Sequence, residues 1–253
     1  YHGDQDHAIS PYRDWVIDAF ALNMPFDQFT REQLAGDLLP EATVDQQIAT
    51  AYNRLLQTSH EGGVQAKEYL AMYAADRVRN LSAVWFGGTI GCAQCHDHKF
   101  DPYTAHDFYS LASFFADVDE AEHLARGDNA LPTKRAPELV VQTRREREQL
   151  ADLDRNLARL AAQAATAPTD ELLASIKDLK KQREQLAKGR RLMITRSIKP
   201  REMRLLPRGD WLSDAGPIVQ PAIPTFLGQI DTDKNQRASR LDLANWLTDA
   251  EHG

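Results

Sequence analysis

Gly91-Cys92-Ala93-Gln94-Cys95-His96-Asp97-His98-Lys99-Phe100-Asp101-Pro102 contains both cysteines of the chain, in the order Cys-x-x-Cys-His. What precedes it sets its structural context. Tyr69, Leu70, Tyr73, Val78, Leu81, Val84 and Trp85 form an apolar stripe at helical spacing, which predicts a long helix over about 66–86 with Gly87-Gly88 as its C-cap. The cysteines therefore belong just past a helix end, in a turn or short helix of their own that Asp101-Pro102 closes. Two thiols three residues apart with an imidazole next in line suit covalent attachment of a c-type haem: Cys92 and Cys95 anchor the porphyrin and His96 ligates the iron.

Outward from this centre the pattern stays helical. Ser10-Pro11 reads as an N-cap and first helical position, opening a helix through Tyr12, Trp15, Val16, Ala19 and Phe20 to about Leu22. A second helix carries Phe26, Phe29, Leu34 and Leu38 and ends at Pro40. Thr43 with Gln46 forms a capping box for a third, through Ile48, Ala51, Tyr52 and Leu55. Thr58 to Gly63 is a loop. Downstream of the cysteines, Thr104 with Asp107 caps a helix through Phe108, Tyr109, Leu111, Phe114 and Phe115. The aromatic residues of these helices read as core. Fold class is thus mainly α: a multi-helix domain over 1–117 carrying the Cys-x-x-Cys-His motif.

The composition then shifts. Leu150, Leu153, Leu157 and Leu160, and after Pro168 the series Leu172, Ile176, Leu179 and Leu186, step by threes and fours among charged residues. They predict a helical hairpin or short antiparallel coiled coil over 138–190, an insertion packed on itself or an arm for a protein partner. From 191 to 253, Met193-Ile194-Thr195 has strand character, and Pro200, Pro207, Pro217, Pro221 and Pro224 favour extended backbone. Ser239 caps a final helix through Leu241, Leu243, Trp246 and Leu247. This last region reads as an extended linker and the truncated start of another domain. Because the chain opens at Tyr1 without a methionine, it reads as a fragment, so the absence of a signal peptide says nothing about its compartment.

A net charge of -7 argues against nucleic-acid binding, which needs a basic footprint. No apolar run reaches the roughly 18 residues of a membrane span. Nothing in the sequence resembles a nucleophile triad, a phosphate-cradling loop or an H-E-x-x-H helix. At the cysteines, several chemistries compete. After haem comes a non-haem zinc or iron site built from Cys92, Cys95, His96 and His98, although structural zinc sites usually draw ligands from two segments. A redox dithiol lacks the strand that should precede it. A local disulfide and a pair of inert thiols complete the set. Asp97, His98 and Asp101 would surround the group, and Glu61 and Asp76 are acids that could converge there. A sixth iron ligand could come from His60, Met72, His106 or Met193. His98 is poorly placed for the same iron, since on a helix two residues' separation turns it away from His96.

Several motifs together resemble a known family. Tyr12 to Ile17, Asn23 to Phe29, Glu32 to Pro40, Glu61-Gly62-Gly63, Asp76-Arg77-Val78 and Cys92 to Pro102 are similar to planctomycete cytochrome-c-type proteins built from a PSCyt domain of unknown function followed by a PSD domain. Leu192 to Arg196, Arg208-Gly209-Asp210 and Arg240 to Leu247 resemble the junction into the PSD domain. The resemblance implies a bacterial, extracytoplasmic protein, because c-type haem is attached outside the cytoplasm. The function expected from the motif is haem c binding with electron transfer in the envelope, with a redox partner protein or a small-molecule substrate. A catalytic metalloprotein acting on carbohydrate or another extracellular substrate, and a scaffold using the hairpin, are the competing functions.

Overall fold

The computed structural model describes residues 7–58, 64–124, 135–232 and 236–250. Its first helix, α1 (Ser10–Ala21), begins one residue earlier than Ser10-Pro11 suggested. Ile9 takes the N-cap position without a side-chain bond, and Ser10 is already helical. Pro11 is tolerated there because first-turn amides have no intrahelical acceptor. The helix α2 (Phe26–Ala35) tightens into a 3₁₀ turn over Gly36–Leu38. The third, α3 (Val44–Ala49), carries the expected Thr43/Gln46 capping box and also tightens, over Thr50–Arg54.

Next come α4 (Ala66–Leu81), which widens into a π turn over Ser82–Phe86, and α5 (Ala105–Phe114), started by the Thr104/Asp107 box. These two pack around the main core. Val78, Leu81, Ile90, Phe108, Leu111 and Phe114 are all fully buried in it. A short α6 (Ala121–Leu124) follows.

The predicted hairpin is present as α7 (Arg144–Thr166) and α8 (Asp170–Ala187), and neither helix has a buried residue. Its stem is different from the expectation. Residues 138–141 are a strand, β1 (Glu138–Val141), paired antiparallel with β2 (Arg190–Met193), Leu139 facing Leu192 and Val141 facing Arg190. Val141 and Leu192 pack with Trp15, Ile48, Ala49 and Ala51 in a second cluster. The hairpin is therefore an excursion from a two-stranded ribbon clamped to α1 and α3.

The region beyond 191 is not a detached linker. After β3 (Met203–Arg204) and β4 (Ile218–Val219), the chain reaches α9 (Arg240–Leu247), which is capped by Ser239 and Asp242. Val219, Ile223, Leu243 and Ala244 belong to the same core as α4 and α5. Arg240 is completely buried. Its Nε and Nη2 meet Asp117 at 2.9 Å, its Nη1 and Nη2 meet Asp37 at 2.8 Å, and Nη1 also donates to Leu34 O at 2.7 Å. All five guanidinium protons are used. The proline-rich backbone is extended apart from 3₁₀ turns at Pro207–Gly209 and Thr225–Leu227, but proline content carries no information on what that backbone packs against.

Candidate functional site: the Cys-x-x-Cys-His turn

Residues Ile90–Gln94 form a 3₁₀ turn. With three residues per turn, positions i and i+3 lie one above the other. Ile90 and Ala93 are such a pair, both 0% exposed in the core, while Cys92 and Cys95, the other pair, are free and exposed. Burial of these two apolar residues thus holds two thiols outward on one face. The approach to the turn is fixed upstream. Gly87 adopts a left-handed conformation at φ 58°, and Ser82 accepts from the Gly88 amide at 3.1 Å while its hydroxyl donates to Gly88 O at 3.0 Å. From below, the Tyr109 hydroxyl donates to Gln94 O at 2.8 Å, and the Arg79 guanidinium donates to the Gln94 side chain. Burial, with the Cys95 charge second, pushes the Tyr109 phenol up to about 12, so it remains a donor at any ordinary pH.

His96 and His98 differ in whether a ring nitrogen keeps a free lone pair. His96 is exposed, and its Nδ1 lies 2.8 Å from Asp97 O. A carbonyl oxygen only accepts, so this Nδ1 carries the proton and Nε2 keeps its lone pair, the arrangement that metal-ligating histidines use. In His98, Nδ1 accepts from the amides of Asp101 at 2.8 Å and Phe100 at 3.2 Å. Its lone pair is engaged, and the proton of the neutral ring sits on Nε2. The His98 amide donates to Tyr103 O at 2.8 Å, and its ring meets Tyr103 edge-on, which in turn meets Phe226 edge-on. His98 thus clasps the loop that returns the chain to α5.

The acidic residues divide likewise. Asp97 Oδ1 accepts from the Ala105 amide at 2.8 Å, at the start of α5. Asp101 Oδ2 lies 3.5 Å from both Thr89 Oγ1 and His98 Nδ1. Asp76, on α4, lines a different cavity, shared with Tyr52, Asn53 and Asn80, and burial pushes its carboxyl up. Its neighbour in sequence, Arg77, bonds Glu120 rather than Asp76. Glu61 and His60 lie outside the described residues. Of the other suggested ligands, His106 Nδ1 is 3.3 Å from Ser110 Oγ, Met72 is half-buried on α4 and Met193 is buried on β2. Among the described residues, no three His, Cys, Asp or Glu side chains converge as a metal's ligands would.

One contributor had no sequence signal as a site residue, although it stood in a recognised motif. Gly209, at φ 74°, lies against Cys95 so closely that a Cβ there would come within 3.1 Å of Cys95 Sγ. Its missing side chain is the open space beside that sulfur. Only the long-range fold brings residues 95 and 209 together.

Exposed paired thiols, a histidine with Nε2 available and a glycine cradle define a helical domain with a Cys-x-x-Cys-His presenting turn, and the residues fit a c-type haem. Residues 1–120 match the sequence profile of the PSCyt2 family, described as a protein of unknown function (DUF1549). No curated protein and no solved structure matches the chain.

Proposed function

We propose that the turn binds haem c in the bacterial envelope and that the protein transfers electrons. Cys92 and Cys95 would hold the porphyrin as thioethers, and His96 would ligate the iron through Nε2. The single observation carrying this reading is the opposite assignment of the two histidines. His96 keeps a lone pair at an exposed ring nitrogen, whereas His98 spends its own on backbone amides. That difference favours haem over a four-ligand metal site that needs both. Bound there, the haem would supply a one-electron couple. The chain's own part is to hold two sulfurs on one face, fix the His96 tautomer through Asp97 O and leave room at Cys95 beside Gly209. An extracytoplasmic location follows from the same chemistry, since c-type haem is attached outside the cytoplasm.

The test is denaturing mass spectrometry and visible spectroscopy of the chain matured in a host with haem-attachment machinery. The expected result is a haem adduct that survives denaturation, with a Soret band. Cys92→Ser with Cys95→Ser should abolish the adduct, and His96→Ala should perturb the spectrum. Unmodified wild-type mass from a host that matures a control cytochrome would overturn the reading. A second role, a protein-partner arm, is supported by the hairpin's having no buried side chain in either helix.

A further inference from the structure

A cleft of about 220 Å³ opens beside Gln94. By the roughly 30 Å³ a water occupies in the liquid, it holds about seven waters, the size of one small ring. Its floor is apolar, made by Ala71 and Ala74 of α4 with Phe108 and Phe115 at the α5 side. Met203 and Trp211, from the chain beyond β2, supply its walls.

Three cations line this cleft, and two are already neutralised. Lys67 Nζ is 2.8 Å from Asp214 Oδ1 at the rim, and Arg204 is 2.6 Å from Glu202. Arg201 has no carboxylate within ion-pair distance among the described residues. Its Nη1 donates to Val118 O at 2.6 Å and its Nη2 to Phe115 O at 3.3 Å, which engages two of five donor protons. Burial, with the Arg77 charge second, lowers its pKa from the ordinary arginine value against the more distant pull of Glu120, Asp117 and Asp119, so its charge is desolvated without a carboxylate bound to it. Such a cation gains more from an incoming anion than a surface lysine does. With Lys67 and Arg204 paired, the one guanidinium left without a carboxylate, above alanines and aromatics, suits a monoanion on an apolar carrier. A heavily hydrated phosphate dianion would lose too much solvation against that floor.

We propose that this cleft binds a small amphipathic carboxylate, its ring or short apolar body on the Ala71/Ala74 floor beside Trp211 and its carboxylate on Arg201. Two sources share this chemistry: a free organic acid, or a propionate edge of a porphyrin tethered at the neighbouring turn. Only the second source rests on the haem reading.

The experiment titrates 3-phenylpropionate and its neutral amide, 3-phenylpropionamide, into the full chain carrying Cys92→Ser and Cys95→Ser, by calorimetry with tryptophan fluorescence alongside. The acid should bind at least tenfold tighter than the amide. Arg201→Gln should erase that preference. Ala71→Leu, which fills the floor and leaves every charge in place, should abolish binding of both probes while the thermal transition persists. Equal affinity for acid and amide, or undiminished binding to a folded Ala71→Leu protein, would overturn the proposal. With haem attached, loss of probe binding assigns the cleft to the propionate, and retained binding assigns it to a free acid. Absence of any haem adduct would leave the titration of the cysteine-free chain intact.

Discussion

At His98, the identity of one nitrogen decides the role. Its Nδ1 accepts from the Phe100 and Asp101 amides, so a side chain that puts an acceptor at that position should preserve the loop. Asparagine does this, because its Oδ1 overlays Nδ1; glutamine reaches instead towards Nε2. His98→Asn should therefore keep the two amides protected in hydrogen exchange, and His98→Gln should lose protection by about tenfold, the worth of one to two net hydrogen bonds. Equal protection in both variants would show that the ring holds the loop by packing alone. Gly209 is the other decisive position. A Cβ there meets Cys95 Sγ, whereas one at Gly87, which shares the left-handed backbone, meets nothing within 4 Å. Each Gly→Ala change should cost about 1 to 2 kcal/mol of stability for the backbone alone. Only Gly209→Ala should also reduce the fraction of chains with both thioethers, read by mass spectrometry. If Gly87→Ala lowers it equally, the cradle is not specific.

At the scale of elements, the turn and the hairpin show opposite relations to the core. The 3₁₀ turn is five residues long and depends on Ile90 and Ala93 being buried beneath it. The hairpin makes its own seam and touches the body mainly at its base, where Arg147 reaches Asp45 at 2.5 Å. Since Val141 and Arg190 are already paired across the ribbon, replacing 142–189 by Asn-Gly should give a two-residue hairpin loop that suits the strand twist. The shortened protein should fold with a thermal midpoint within a few degrees of the parent and retain the cysteine chemistry. Any partner that needs the arm would be lost in pull-down. Collapse of the shortened chain would show instead that α7 and α8 help hold β1 on α1 and α3.

Across the whole molecule, buried ion pairs tie distant segments together. Arg240 joins α9 to Asp37 and Asp117, and Arg77 and Arg54 converge on Glu120. Burial on its own would lower the Arg240 pKa, but hydrogen bonds and charge from Asp37 and Asp117 outweigh it and raise it. Arg240→Met strands two carboxylates away from water and should cost about 3 to 5 kcal/mol in urea denaturation. A loss below about 1 kcal/mol would mean that α9 is only loosely docked. For Glu120, burial pushes the carboxyl up, yet Arg77 and Arg54 prevail and hold it below its ordinary 4.5. A carboxyl depressed on folding adds stability that is complete above its unfolded value and is lost as pH falls through its folded one. The urea midpoint should therefore drop as the solution is acidified below about pH 4.5, and Glu120→Gln should make that acid limb shallower. An unchanged slope would remove Glu120 from the account.

The sequence alone was enough for most of what depends on neighbours, the Ser10 cap being an exception. Helix periods, the capping boxes at Thr43, Thr104 and Ser239, the leucine seams and the Cys-x-x-Cys-His spacing are all local, set by residues within a turn or two of each other. β1 escaped because Glu138 to Val141 is four residues long and its pairing partner is some fifty positions away, beyond any periodic signal. The same reason hid the docking of the C-terminal segment, the choice of Glu120 rather than Asp76 for Arg77, and the meeting of Gly209 with Cys95. Those contacts are selected by which apolar faces bury together and which charges that burial leaves needing a partner. Even the two histidines of the motif, alike on paper, acquire different roles only when the folded loop brings amides to one ring and a carbonyl to the other.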